Sequence, residues 1–229
     1  MAGAPSVLST DHGDRGSELV MSPARPPAIT IRAATPGRWR DVEALFGENG
    51  ACGGCWCQFW KQTQAQYRAG KGAPNRRAFR RQVAAGVVPG LLAYAGDEPV
   101  GWVAVEPRAA YARLVAARNL VAVDGAPVWS VPCFFVKRAW RGRGLAGLLL
   151  EAAAERAREA GAPFLEGYPV DSKAALGDAF VYTGVHSTFV RLGFAEVVRK
   201  ARTRPVMRLA LGRRGARRRV TRAARLRAR

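Results

Sequence analysis

The stretch VPCFFVKRAWRGRGLAGLLL, residues 131–150, decides how this chain is read. Its first part belongs to a long strand expected over Val128 to Val136, and its last part opens a strongly patterned helix expected over Gly144 to Ala160. Between them lies a short turn with Gly142 and Gly144, flanked by Arg141 and Arg143. Small residues let a backbone approach a ligand closely, and the first amides of a helix have no partner inside it. Those amides, with the positive end of the helix dipole, favour a phosphate anion, and the guanidinium groups suit its oxygens. The plainer alternative is an ordinary strand-to-helix connection with basic surface residues. A dinucleotide fingerprint fits poorly, because G-x-G-x-x-G should follow an early strand, with an acidic residue roughly 20 positions on. A Walker A pattern is absent.

Working outward, Ala28 to Arg32 alternates like a strand. Thr35-Pro36 offers a helix start, with Trp39, Val42, Leu45 and Phe46 at helical spacing. Asn75 to Ala85 reads as a helix with Phe79 and Val83 inward. Leu91 to Tyr94 and Val100 to Val105 flank a turn and read as a hairpin, and residues 109–120 as helical or irregular. Phe164 to Tyr168 reads as a buried strand. A helix into Arg191 and strands Phe194 to Arg199 and Pro205 to Leu209 complete the order. Three strands before the first β-α-β unit imply an α/β (α+β) protein with a mixed sheet and helices on both faces. The domain is expected over residues 28–210, between a Pro-, Ala- and Gly-rich leader (1–27) and a basic tail (211–229). Met21 is a second candidate start.

Composition sets the broad class. The chain has 229 residues, 48% of them hydrophobic, which is enough for a substantial core. No apolar run approaches the roughly 18 residues of a membrane span, and Met1 to Val20 lacks a hydrophobic signal core. The expectation is a soluble, cytoplasmic chain with no membrane partner. The net charge of +20 is concentrated at one end, since Arg213 to Arg229 holds nine arginines and no acid. Such a run is a solvated end that can contact nucleic acid without sequence preference. The cysteines, Cys52, Cys55, Cys57 and Cys133, are expected to be reduced.

Arg141-Gly-Arg-Gly144-Leu-Ala146 matches the R/Q-x-x-G-x-G/A signature of GNAT N-acetyltransferases. Phe134 to Val136 resembles that family's fourth strand, and His186 to Phe194 its last helix with the Gly193-Phe194 ending. The resemblance implies a central, mostly antiparallel mixed sheet, splayed between the fourth and fifth strands. It also implies acetyl-CoA as acyl donor and a primary amine, of a small molecule, as acceptor. Main-chain groups of Phe134, Phe135 and Val136 would pair with the pantetheine arm, and amides of Arg141, Gly142, Arg143, Gly144, Leu145 and Ala146 would hold the pyrophosphate. A backbone N–H at or beside Phe134 would stabilise the oxyanion. The amine would attack the thioester directly, and a homodimer is within the family's habit. The match breaks at Phe189, where many members have the tyrosine that protonates the departing thiolate; no glutamate occurs in strand 128–136. The alternative these gaps leave open is a catalytically weakened acyl-CoA-binding regulator, or a polyanion-binding protein using the basic tail.

The expected substitutes as catalytic groups are Glu166, Tyr182 and Glu106, with His186 a weaker candidate. Glu166 and Tyr168 share one face of the fifth strand, and a carboxylate in so apolar a strand needs a partner or a function. Tyr182 falls where the family often has an asparagine beside the cofactor arm. The segment Gly53-Gly-Cys55-Trp-Cys57 resembles one found in some bacterial members, where this region borders the acceptor side. Trp56, Phe59, Trp60 and Tyr168 are expected to shape that pocket, whose ring faces would suit an apolar or cationic acceptor. For the cysteines, small buried groups, a redox or nucleophilic thiol and a four-sulfur zinc site with Cys133 all remain open. No second C-x-x-C supports zinc, so no metal is expected.

Overall fold

Period-two alternation builds a sheet with two different apolar faces. Leu91, Ala93, Ala95, Val103 and Val105 point to one side, while Leu92, Tyr94, Trp102 and Ala104 point to the other. The computed structural model describes residues 27–171 and 181–212. The leader read over 1–27 but for residue 27, Met21 as a start, and the basic tail read over 211–229 but for residues 211 and 212 lie outside the described residues.

The strands are β1 (Ile29–Ala33), β2 (Gly90–Ala95), β3 (Glu98–Pro107), β4 (Val128–Val136), β5 (Phe164–Gly167), β6 (Ala195–Ala201) and β7 (Arg204–Ala210). They form one seven-stranded sheet in the order β1-β2-β3-β4-β5-β7-β6. The β4–β5 pair is parallel and the other neighbours are antiparallel, which gives the expected mixed sheet. The helices are α1 (Trp39–Phe46), α2 (Gln64–Gly70), α3 (Ala73–Ala84), α4 (Ala112–Val115), α5 (Leu145–Glu159) and α6 (His186–Arg191). On one face, α5 buries Leu145, Leu149, Leu150 and Ala153 against β2 to β5, and Phe189 of α6 joins the same core. On the other face, Trp39, Phe46 and Phe79 of α1 and α3 pack around Trp102. The two sides match a sheet covered by helices on both faces.

The sequence reading contains no counterpart of α2. It begins at a capping box in which Thr63 Oγ1 accepts from the Gln66 amide and Gln66 Oε1 from the Thr63 amide. The Thr63-x-x-Gln66 spacing is the signal for it.

The sheet opens where the site lies. Strands β4 and β5 pair from Val128↔Phe164 to Val131↔Gly167 and no further, so Pro132 to Val136 has no β5 partner. At the foot of this splay, Ser130 lies opposite Glu166. The Tyr168 hydroxyl stands 2.8 Å from Ser130 Oγ and 3.1 Å from Glu166 Oε2. A hydrogen-bonded cluster thus fastens the two strands just below the point at which they part.

Candidate active site

A cavity of about 1000 Å³ opens over the splayed end of β4. Its floor and one end are backbone-rich: Phe134, Phe135, Val136, and the turn Arg141 to Ala146 that enters α5. All nine residues assigned to cofactor binding from sequence line it. Gly142 and Gly144 have φ of +71° and +87°, and a Cβ at either would meet no protein atom within 4 Å. Glycine is thus required by backbone conformation, and the space it leaves faces outward from the turn. Arg141 Nε donates to the Val136 carbonyl at 3.0 Å and ties the turn to the strand end. The Arg143 guanidinium lies 5.4 Å from the centre of the Trp140 ring. Leu145 to Glu159 is long enough for a full helix dipole, and its first amides face the cavity end.

Along β4, Lys137 N–H donates to Val100 of β3, whereas Phe134 N–H points to the opposite edge. Strand alternation turns the Val136 N–H to that same edge, where β5 has diverged. The Phe134 N–H, expected as an oxyanion donor, donates to the Tyr182 carbonyl at 2.6 Å. The donor is aimed as expected, but it has a protein partner.

The other end is made of side chains. Phe59, Trp60, Tyr67 and Tyr182 line it, together with Cys52, Cys55, Cys57 and Cys133. Phe59 packs edge-on against Trp60, Tyr67 and Tyr182. Arg113 of α4 holds this group from behind. Its guanidinium lies 4.2 Å from the Phe59 ring centre and 5.2 Å from that of Tyr67, and it donates to the carbonyls of Gln62 and Thr63. Burial pushes the Tyr182 hydroxyl up to about 12, with the Cys133 thiol adding to it. Tyr182 therefore stays a neutral proton donor across the neutral range. Among the described residues lining the cavity, the one carboxylate is Glu151, on α5.

Several sequence candidates stand elsewhere. Glu166 is 0% exposed and does not line the cavity. Arg208 Nη2 contacts its Oε1 at 2.7 Å, and Arg108 Nη1 lies 3.5 Å from its Oε2. An ion pair so enclosed is a structural anchor, and the expectation of a base is corrected accordingly. Tyr168 belongs to the same anchor, receiving a hydrogen bond from Arg108 at 2.7 Å, and is no pocket wall. Glu106 is paired with Lys61 in a buried contact away from the cavity lining; burial raises its carboxyl while Lys61 opposes the rise. Trp56 stacks between Trp39 and Phe46 in the core, so it supports the pocket loop without facing the cavity. His186 lies 3.8 Å from Asp171 and is absent from the lining. Phe189 is wholly buried against Phe134 and Phe194. Phe59, Trp60 and Tyr182 do face the cavity, while Tyr67 joins them without having been singled out from sequence.

Among the described residues, no group of three or more His, Cys, Asp or Glu is arranged to hold a metal ion. No helix among them is long and apolar enough to cross a membrane.

Residues 56–175 match the sequence model of the acetyltransferase (GNAT) family. No curated protein matches the chain. Among solved structures it is similar to the PaiA N-acetyltransferase of Thermoplasma acidophilum in complex with coenzyme A, at 12% identity over 80% of this chain and 99% of that one, TM-score 0.45. It is also similar to YncA of Salmonella typhimurium with acetyl-CoA, at 17% identity over 82% and 97%, TM-score 0.44. An N-acetyltransferase of Staphylococcus aureus Mu50 gives 14% identity over 80% and 99%, TM-score 0.48.

Proposed function

The chain belongs to the GNAT acetyltransferase family, and we propose that it moves the acetyl group of acetyl-CoA to a primary amine of a small molecule, in a ternary complex. The observation that carries this reading is one continuous cavity joining the 141–146 turn to the aromatic end along the part of β4 from which β5 has parted. A donor molecule with a pyrophosphate and a long arm fits that sequence of surfaces. The turn's amides and the start of α5 take the pyrophosphate. The arm runs along Phe134 to Val136, using the edge that β5 leaves free.

At the aromatic end, the thioester carbonyl takes the Phe134 N–H in place of the Tyr182 carbonyl, and that donor stabilises the oxyanion as the amine attacks. With no carboxylate among the described residues at this end, the amine enters neutral and loses its proton to water after attack. Collapse of the tetrahedral adduct breaks the carbon–sulfur bond, and Tyr182 supplies a proton to the departing thiolate. This gives Tyr182 the role left open by Phe189. Positioning carries most of the rate. The aromatic wall of Phe59, Trp60 and Tyr67 favours an acceptor with an apolar or cationic body. We place the chain with the bacterial members that share the Gly-Gly-Cys-Trp-Cys segment, acting in the cytoplasm. The basic run beyond Arg213 plays no part in this reading.

The test is release of coenzyme A thiol from acetyl-CoA across a panel of small amines, with the product identified by mass. Amine-dependent release with an acetylated product is expected, strongest for apolar and aromatic amines. A folded chain that binds acetyl-CoA yet acetylates no amine in the panel would contradict the acceptor assignment.

A further inference from the structure

We infer that Cys57 and Cys133 form a redox pair that closes to a disulfide in the cavity wall when the protein meets a hydroperoxide. The two residues come from distant parts of the chain, Cys57 from the loop between α1 and α2 and Cys133 from β4, yet both line the same cavity. Cys133 lies opposite Ala104 in the β3–β4 register and packs against the buried cluster that contains Cys57, Trp102 and Ala104.

The surroundings give the two sulfurs different roles. The Trp102 indole N–H donates to Cys57 Sγ at 3.3 Å. An N–H aimed at sulfur stabilises a thiolate, as does the nearby Lys61 ammonium. The neighbouring Cys133 thiol, with those two groups, holds the Cys57 thiol below its usual range against the opposing effects of burial and of the Glu106 carboxylate paired with Lys61. Cys133 is pushed the other way, by the neighbouring Cys57 and by burial. The backbone adds a second distinction. Trp56 and Cys57 adopt φ of +42° and +56°, a left-handed conformation that side-chain-bearing residues rarely take. The loop thus bears strain to hold the Cys57 sulfur inward, against Trp102 and beside Cys133.

The neighbouring C-x-x-C is a poorer pair. Cys55 Sγ donates to the Gly50 carbonyl at 3.3 Å, and burial pushes its thiol up to about 11. Cys52 is exposed.

The chemistry balances with the peroxide as the only added reactant. The Cys57 thiolate attacks one peroxide oxygen; the O–O bond breaks and the departing hydroxide takes a proton to become water. Cys57 is then a sulfenic acid. The Cys133 sulfur attacks the Cys57 sulfur, the S–S bond forms and the S–O bond breaks. The second hydroxide takes the Cys133 proton and leaves as water. Two thiols have lost two electrons, and the peroxide has gained them.

The readout is covalent, so it does not depend on acetyl transfer. Trypsin leaves Cys52, Cys55 and Cys57 together in peptide 41–61 and Cys133 alone in peptide 119–137. The reduced full-length chain is treated with hydrogen peroxide, its remaining thiols are alkylated, and it is digested without reductant. In the fraction migrating as a single chain, the two peptides are expected as a cross-linked pair, lighter than their sum by two hydrogens. The pair disappears on treatment with a dithiol. It is absent from Cys57→Ser and retained in Cys55→Ser. A Cys133 peptide that remains fully alkylated in the peroxide-treated natural chain overturns the proposal, as does a cross-link that survives Cys57→Ser. The natural-chain result stands even where a variant folds poorly.

Discussion

The two ends of the cavity solve the same conformational problem in opposite ways. At the turn, positive φ angles fall on Gly142 and Gly144, which adopt them without steric cost and leave open space beyond. At the aromatic end they fall on Ala51, Trp56 and Cys57 as well as on glycines. At one end two glycines withhold side chains and leave open space beside the backbone between Arg141 and Leu145. The other is a side-chain surface whose backbone is bent to aim them. A backbone surface suits a ligand part common to many enzymes, such as a pyrophosphate. A side-chain surface suits the part that differs, the acceptor.

That contrast can be broken or sharpened by substitution, beginning with the anchor beneath both ends. Arg208→Ala leaves the buried Glu166 carboxylate with Arg108 as its remaining cation. The expected loss is about 3 kcal/mol of folding stability, read by chemical denaturation, with acetyl-CoA affinity of the folded chain unchanged. A variant of full stability that has lost turnover would instead make Glu166 part of the chemistry.

Tyr182→Phe removes the proposed acid at the junction of the two ends. A fall in kcat of about a hundredfold is expected, with acetyl-CoA affinity retained. The same assignment fixes a pH profile. Because the Tyr182 hydroxyl is pushed up to about 12, it remains protonated through the ordinary tyrosine range. The rate should therefore rise with pH as the amine loses its proton and show no decline near pH 10, the ordinary tyrosine pKa. A decline there in the natural chain, absent from Tyr182→Phe, would mean that burial does not hold the hydroxyl as described.

The smallest effect belongs to the acceptor wall. Tyr67→Ala opens the aromatic group while leaving the turn intact. The acceptor KM should rise about tenfold, consistent with the loss of one aromatic contact, and the acetyl-CoA KM should not move. Equal changes in both constants would show that the two ends are not separate surfaces.

Much of the fold was legible because it is written in local patterns. The alternation of Val100 to Val105, the spacing of Leu145, Leu149 and Leu150 and the glycines of the turn each fix an element from neighbours alone. The turn end of the cavity was legible for the same reason, being one contiguous strand, turn and helix. The aromatic end was legible only in part, through Phe59, Trp60 and Tyr182. Tyr67 reaches the cavity because α2 exists and because Arg113, far along the chain, pins the Phe59 and Tyr67 rings. The Thr63-x-x-Gln66 cap announced α2, but its exposed, polar helix gave no apolar periodicity to read. Glu166 shows the reverse case. In sequence it is an unexplained carboxylate in an apolar strand; its partner Arg208 is set by the β5–β7 register, where the two residues lie opposite each other. A charge without a local partner was read as chemistry when its partner was in another strand. Cys57 and Cys133 likewise meet only through the packing of a loop against β4.

The most direct test of the account is acetyl-CoA binding measured by calorimetry on the intact chain and on Gly144→Glu, each first shown to be folded by circular dichroism. A side chain with a negative charge at that turn occupies the space beyond Gly144 and repels a pyrophosphate. The account predicts a clear binding heat for the intact chain and none for the variant. Equal binding by both, or no binding by the intact folded chain, would contradict it.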